Sequence, residues 1–371
     1  MRALERTDLD RLLAALVARG YELVGPTVRQ GAIVFEPIES AADLPVGLTD
    51  TQDGGTYRLE RRSDEAVFGF ANGPQSWKRL LHPPVLELWS ARRSPEGELE
   101  FSPQNEPQPK RALIGARSCD LHAIATLDRS LLEIEHPDPE YAARREGLFV
   151  VALNCSTAGG TCFCVSMETG PRATFGFDLV LTELHDGDRH LFLVESGSDQ
   201  GAELLAELPT RPAGDDEVRA GEQVSERTAA SMGRRMDTEG LKELLDRNLE
   251  HPRWDEVSER CLSCGNCTMV CPTCFCTEVD DIGDLAGVEA GHVRRWDSCF
   301  NLEFTYVHGG SVRDSPRSRY RQWMTHKLAT WHDQFGTSGC VGCGRCITWC
   351  PVAIDITEEA AAIRVTDGEV R

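Results

Sequence analysis

One twelve-residue pattern occurs twice: Cys261-Leu-Ser-Cys264-Gly-Asn-Cys267-Thr-Met-Val-Cys271-Pro272 and Cys340-Val-Gly-Cys343-Gly-Arg-Cys346-Ile-Thr-Trp-Cys350-Pro351. Each is C-x2-C-x2-C-x3-C-P, a spacing that suits a cubane [4Fe–4S] cluster. Three cysteines at x2 intervals can surround one cluster, while the fourth lies on the helix that leaves the loop. The following proline stops that backbone from continuing in the same conformation. Gly265, Gly342 and Gly344 allow positive φ, so backbone N–H groups can approach the cluster sulfurs. Zinc would need paired C-x2-C units or Cys with His, and has no use for a fourth Cys at x3 followed by Pro. The repeated pattern therefore predicts two [4Fe–4S] clusters.

In two-cluster ferredoxins the fourth cysteine of each run ligates the other cluster. On that rule Cys261, Cys264, Cys267 and Cys350 hold one cluster, and Cys340, Cys343, Cys346 and Cys271 hold the second. The 68 residues between Cys271 and Cys340 are far more than a compact ferredoxin loop. A helical insertion would reconcile that length with crossed ligation.

Seven of the 15 cysteines lie outside these runs. Thr161-Cys162-Phe-Cys164 repeats the tetrapeptide that carries Cys274 and Cys276, and Cys299 stands in Trp-Asp-Ser-Cys. Cys119, Cys155, Cys162 and Cys164 make four, the number required for a third iron–sulfur or metal site. The plainer reading is a set of buried thiols, since free Cys packs as a small hydrophobe.

So many cysteines without a secretory leader point to metal or redox chemistry in a reducing cytoplasm. The N-terminal segment spaces Leu9, Leu12, Leu13 and Leu16 as one helix face between charges, and no apolar run reaches the ~20 residues of a membrane span. With 39 basic against 60 acidic residues the net charge is −21, which argues against a nucleic-acid partner. The sequence lacks G-x-G-x-x-G after a strand, a P-loop, G-x-S-x-G and H-E-x-x-H. His122, His308, His326 and His332 are isolated and receive no role. Electrons pass through this chain, and their source and sink lie elsewhere.

The predicted fold class is α+β: an N-terminal mixed α/β domain over 1–236, then a mainly helical dicluster ferredoxin domain over 237–371. Strands are expected at 31–35, 85–89, 112–115 and 148–153, a helix at 119–128, and a hairpin at 178–194 with an Asp-Gly turn at 186–187. The Gly-, Glu- and Arg-rich stretch from about 197 reads as a linker or exposed helical arm. Asp237-Thr238 is expected to cap a helix through Leu241, Leu244, Leu245 and Leu249. Trp323, Lys327, Leu328 and Trp331 fall on neighbouring helical rows, as core packing beside the cysteines.

The stretch YRQWMTHKLATWHDQFGTSGCVGCGRCITWCPVAIDITE (320–358) closely resembles the iron–sulfur β subunit of soluble NAD(P)-linked [NiFe] sulfhydrogenases, also described as sulfur reductases. CLSCGNCTMVCPTCFC (261–276), RRWDSC (294–299), GPQSWKRLLHPP (73–84), GARSCDLHAIATLDR (115–129) and NCSTAGGTCFC (154–164) fit the same pattern. The resemblance implies an electron-transfer subunit in a hetero-oligomer whose other members are a flavin/NAD(P)-binding subunit, a small iron–sulfur subunit, plus a [NiFe] large subunit. The corresponding iron–sulfur subunit of anaerobic sulfite reductase is similar too, and implies the same relay toward a sirohaem partner. A third expectation makes the chain itself a polysulfide reductase acting through Cys274, Cys276 or Cys299.

Overall fold

Strands buried on both faces read as near-continuous apolar runs, and Arg111–Arg117 and Leu148–Leu153 are of that kind. In the computed structural model, which describes residues 1–103, 108–187 and 189–368, they pair in parallel near the centre of an eight-stranded sheet. Across the sheet the order is Arg211–Pro212, Arg2–Glu5, Arg189–Ser196, Leu179–Asp186, Leu148–Leu153, Arg111–Arg117, Glu22–Arg29 and Ala32–Pro37. The four strands from Leu179–Asp186 to Glu22–Arg29 are parallel, and antiparallel strands flank them on both sides. The expected strands, the helix at Ser118–Leu131 and the 178–194 hairpin are all present.

Alternation along the strands divides the core in two. Ile114, Val151 and Leu181 face Leu12 and Leu16 of helix Leu9–Ala18 and Leu204 of helix Asp199–Glu207. Leu113, Val150 and Val180 face the other way, toward Leu121, Ile124 and Leu127 of helix Ser118–Leu131. Helix Asp215–Ala230 lays Val224 on Leu184, Leu191 and Leu193. The stretch after 197 is thus not a linker. Its two helices are packed on the sheet, because a few apolar residues at helical spacing form a buried stripe within a charged composition.

The iron–sulfur half is built around Trp254, Trp323, Met324, Leu328, Ile347 and Ile363. Helix Leu241–Arg247 starts at Gly240 in the left-handed region (φ 58°), while the Asp237 carboxylate accepts from the Glu239 N–H and pairs with Arg364, with no bond to the helix. The expected Asp237-Thr238 cap is therefore displaced by a glycine. The 68-residue insertion is mixed. It opens with an antiparallel hairpin, Thr277–Gly283 and Glu289–Trp296, and turns helical from Pro316–Thr325 onward. Strand Glu289–Trp296 also pairs with Val85–Arg93, which pairs with Leu99–Pro103. Each half of the chain supplies two strands to this second sheet. No helix among the described residues is long and apolar enough to cross a membrane.

Candidate iron–sulfur site

Both cysteine runs fold into the same local form. Gly265 (φ 70°) and Gly344 (φ 73°) take left-handed backbone just before the four-residue turns of helix Asn266–Met269 and Arg345–Thr348. A side chain there would be strained, so glycine fixes the chain reversal that turns successive cysteines inward. Gly342 is also left-handed (φ 61°), and a Cβ on it would lie 2.7 Å from Cys164 backbone. The amide of Ser263 donates to Cys261 Sγ at 3.4 Å, that of Gly342 to Cys340 Sγ at 3.5 Å, and that of Ile354 to Cys350 Sγ at 3.3 Å. Such N–H···S bonds stabilise negative charge on sulfur.

Thiols of both runs meet, and the second run reaches into the cavity of the first. Cys261, Cys264, Cys267 and Cys350 line one cavity, which Cys346 also reaches, walled by Phe300, Tyr320, Trp323 and Ile354. Burial first, then Cys340, Cys343, Cys271 and Cys267, pushes the Cys346 thiol well above its ordinary pKa. Cys340 is pushed up to about 12, chiefly by burial. Four thiolates this close repel one another unless a cationic centre binds them. The two runs also touch directly: Asn266 Nδ2 donates to the Trp349 carbonyl. Among the described residues no three His, Cys, Asp or Glu converge on a point as a single bound ion would require. A cubane instead spreads its ligands around its own volume, and the first cavity and its donor set fit that group.

The second expected ligand set has a cation beside it. Residues His326–Thr330 form a π-helical turn between Pro316–Thr325 and Trp331–Phe335. From it Lys327 Nζ donates to Cys271 Sγ at 3.3 Å, Thr273 Oγ1 at 2.9 Å and the Gly339 carbonyl at 3.0 Å. Burial opposes its charge, but Cys271, Cys274 and Cys340 outweigh that and hold the ammonium protonated. A hydrogen bond from Cys274, with Lys327 and Thr273, in turn lowers the pKa of Cys271. Lys78, the other buried lysine, donates to the Cys274 carbonyl at 2.9 Å and lies 3.8 Å over the Trp296 ring. Neither lysine is evident as part of the site from cysteine spacing. Their signal is rarity: the chain has lysine only at 78, 110, 242 and 327.

Cys274, Cys276 and Cys299 lie beside these thiols, outside either expected set of four. Burial, then Cys276, pushes Cys299 up to about 12, and burial raises Cys276 too. That is the opposite of an activated nucleophile, whose thiolate is favoured at neutral pH. Cys119, Cys155, Cys162 and Cys164 also meet, around a separate cavity that Cys343 touches.

A family model described as a 4Fe-4S dicluster domain matches residues 260–354, the segment that holds both runs. Sulfhydrogenase 2 subunit beta of Pyrococcus furiosus is 37% identical over 249 residues, 66% of this chain and 72% of that protein. No solved structure matches. The match to the dicluster domain gives this chain its cofactors, [4Fe–4S] clusters.

Proposed function

From the premise that the chain belongs to the family of sulfhydrogenase β subunits, we propose that it relays single electrons from a flavin/NAD(P)-binding subunit to a [NiFe] hydrogenase module, or in the reverse direction. A small iron–sulfur subunit completes the hetero-oligomer, which works in the cytoplasm. Electron transfer is the chain's function, and the clusters supply its one-electron chemistry. In this reading Cys261, Cys264, Cys267 and Cys350 hold one cluster, and Cys340, Cys343, Cys346 and Cys271 hold the other. Domain 1–236 carries and covers the dicluster domain 237–371.

The meeting of the two runs supports this reading: Cys350 lines the cavity of the first run, as Cys346 does, and Cys271 is a near neighbour of Cys340 and Cys346. Each residue has a task in it. The thiolates bind, the Ser263, Gly342 and Ile354 amides hold negative charge, and the aromatic wall excludes water. The two sites differ in depth. Cys264 is exposed and Leu262 beside it is 63% exposed, whereas Cys271 and Cys340 are buried. The first site therefore faces a partner, and the second lies inside the chain.

In the assembled complex, Cys264→Ala or Cys343→Ala should abolish NAD(P)H-driven hydrogen evolution while dye-linked hydrogenase activity persists. Full NAD(P)-coupled activity in either variant would refute the relay.

A further inference from the structure

We propose that Cys119, Cys155, Cys162 and Cys164 hold a third [4Fe–4S] cluster at the carboxyl edge of the parallel sheet, next to the second dicluster site. Open α/β sheets bind ligands outside the carboxyl ends of their strands. Cys119 stands two residues after strand Arg111–Arg117, and Cys155 two residues after its parallel neighbour Leu148–Leu153. Cys162 and Cys164 come from the loop that follows. All four thiols line one cavity.

The surroundings are those of an anionic group. Arg117 lines the same cavity and is 2% exposed. Its Nη2 donates to the Phe68 and Phe70 carbonyls at 3.1 and 2.9 Å, while its Nη1 is buried without a hydrogen-bond partner. An unpartnered buried guanidinium nitrogen costs free energy unless negative charge sits beside it. A cubane with four thiolates supplies that charge. Asn72 adds a hydrogen bond from Nδ2 to Cys119 Sγ at 3.2 Å. Glycines leave the room: a Cβ on Gly159 would lie 3.3 Å from Cys162 Sγ, and one on Gly170 3.3 Å from Cys164 Sγ.

The loop is clamped onto the second cysteine run. The Phe163 amide donates to the Gly342 carbonyl at 2.8 Å, and Thr169 Oγ1 to the Val341 carbonyl at 2.7 Å. Cys343, one of the four thiols of the second site, also lines the third cavity. Four merely structural thiols would not need to share one cavity with a buried guanidinium whose Nη1 has no hydrogen-bond partner. This site extends the electron path into the N-terminal domain.

The test is metal counting on the full chain, prepared anaerobically and reconstituted with ferrous iron and sulfide. A Cys155→Ala/Cys162→Ala variant should contain about four fewer irons and four fewer sulfides than the unaltered chain. The ferredoxin-type electron paramagnetic resonance signals should remain. This difference does not depend on how fully the other sites load. An unaltered chain that carries about eight irons with both ferredoxin-type signals present overturns the proposal without any variant. So does an equal iron content in the two proteins, or one zinc per chain that the variant loses. Failure of the relay itself would show separately, as full NAD(P)-coupled activity of the complex carrying Cys264→Ala or Cys343→Ala.

Discussion

His82 shows what a single buried side chain contributes. It is 1% exposed, stacks on Trp296, and neither ring nitrogen has a hydrogen-bond partner. Burial, with Arg294 and Lys78 nearby, lowers its pKa to about 4 from 6.5. The folded state therefore binds fewer protons than the unfolded state between those values, and stability rises with pH across that window. The contribution is complete above about pH 6.5 and is lost as pH falls toward 4, on the order of 3 kcal/mol in all. Urea unfolding of the reconstituted chain from pH 7 to pH 4.5 should show this loss, and His82→Phe should flatten it. The position stands in GPQSWKRLLHPP, yet its burial is not legible there, because it follows from a sheet that joins distant hairpins.

Secondary-structure elements are legible to the extent that each carries its own period. Leu121, Ile124 and Leu127 announce their helix, and the apolar runs announce the parallel strands. Helix Asp215–Ala230 escapes such a reading because charge outweighs apolar content in it, and the hairpin 277–296 because its partner strand lies almost 200 residues earlier. The π-helical turn at His326–Thr330 is hidden for a different reason. One extra residue per turn leaves little trace in a pattern, yet it sets the direction of Lys327. A unit charge at roughly 7 Å, with an effective dielectric constant of about 20, contributes about 2.4 kcal/mol, or roughly 100 mV for one electron. A positive charge favours the reduced form of a cluster, so Lys327→Met should lower one midpoint potential by about that amount, with Lys327→Arg closer to the original. A redox titration followed by electron paramagnetic resonance reads both.

At the scale of the whole molecule, the two halves are joined by buried polar contacts that fix where the cysteine runs sit. Arg345, inside the second run, pairs with Asp120 at 3.0 Å, and both are at most 1% exposed. Arg345 Nε also donates to the Gly73 carbonyl at 3.1 Å. Thr348 Oγ1 donates to Gln52 Oε1 at 2.8 Å, and at the surface Arg234 bridges exposed Asp53 and buried Asp355. Removing one partner of a buried pair leaves the other charge uncompensated. Asp120→Ala should therefore cost about 3–5 kcal/mol in unfolding free energy, while Arg345→Met combined with Asp120→Leu should recover most of it. Thermal unfolding of the three proteins under identical cluster loading checks this. Arg345 is visible in the cysteine run, but nothing in the spacing says that its partner stands 225 positions away.

The proposed crossed ligation also sets a timetable. Cys350 follows Cys261 by 89 residues, and it lies in the cavity that Cys261 lines. A ribosome adding 5–20 residues per second takes about 4–18 s to span that interval. For most of it the first site has three of its four thiols and no closed pocket. Since Cys271 stands among thiols that appear only at 340–346, the second group waits as well. The second site is complete only at Cys346 and the first only at Cys350, so in this reading cluster insertion waits until the second run has been made.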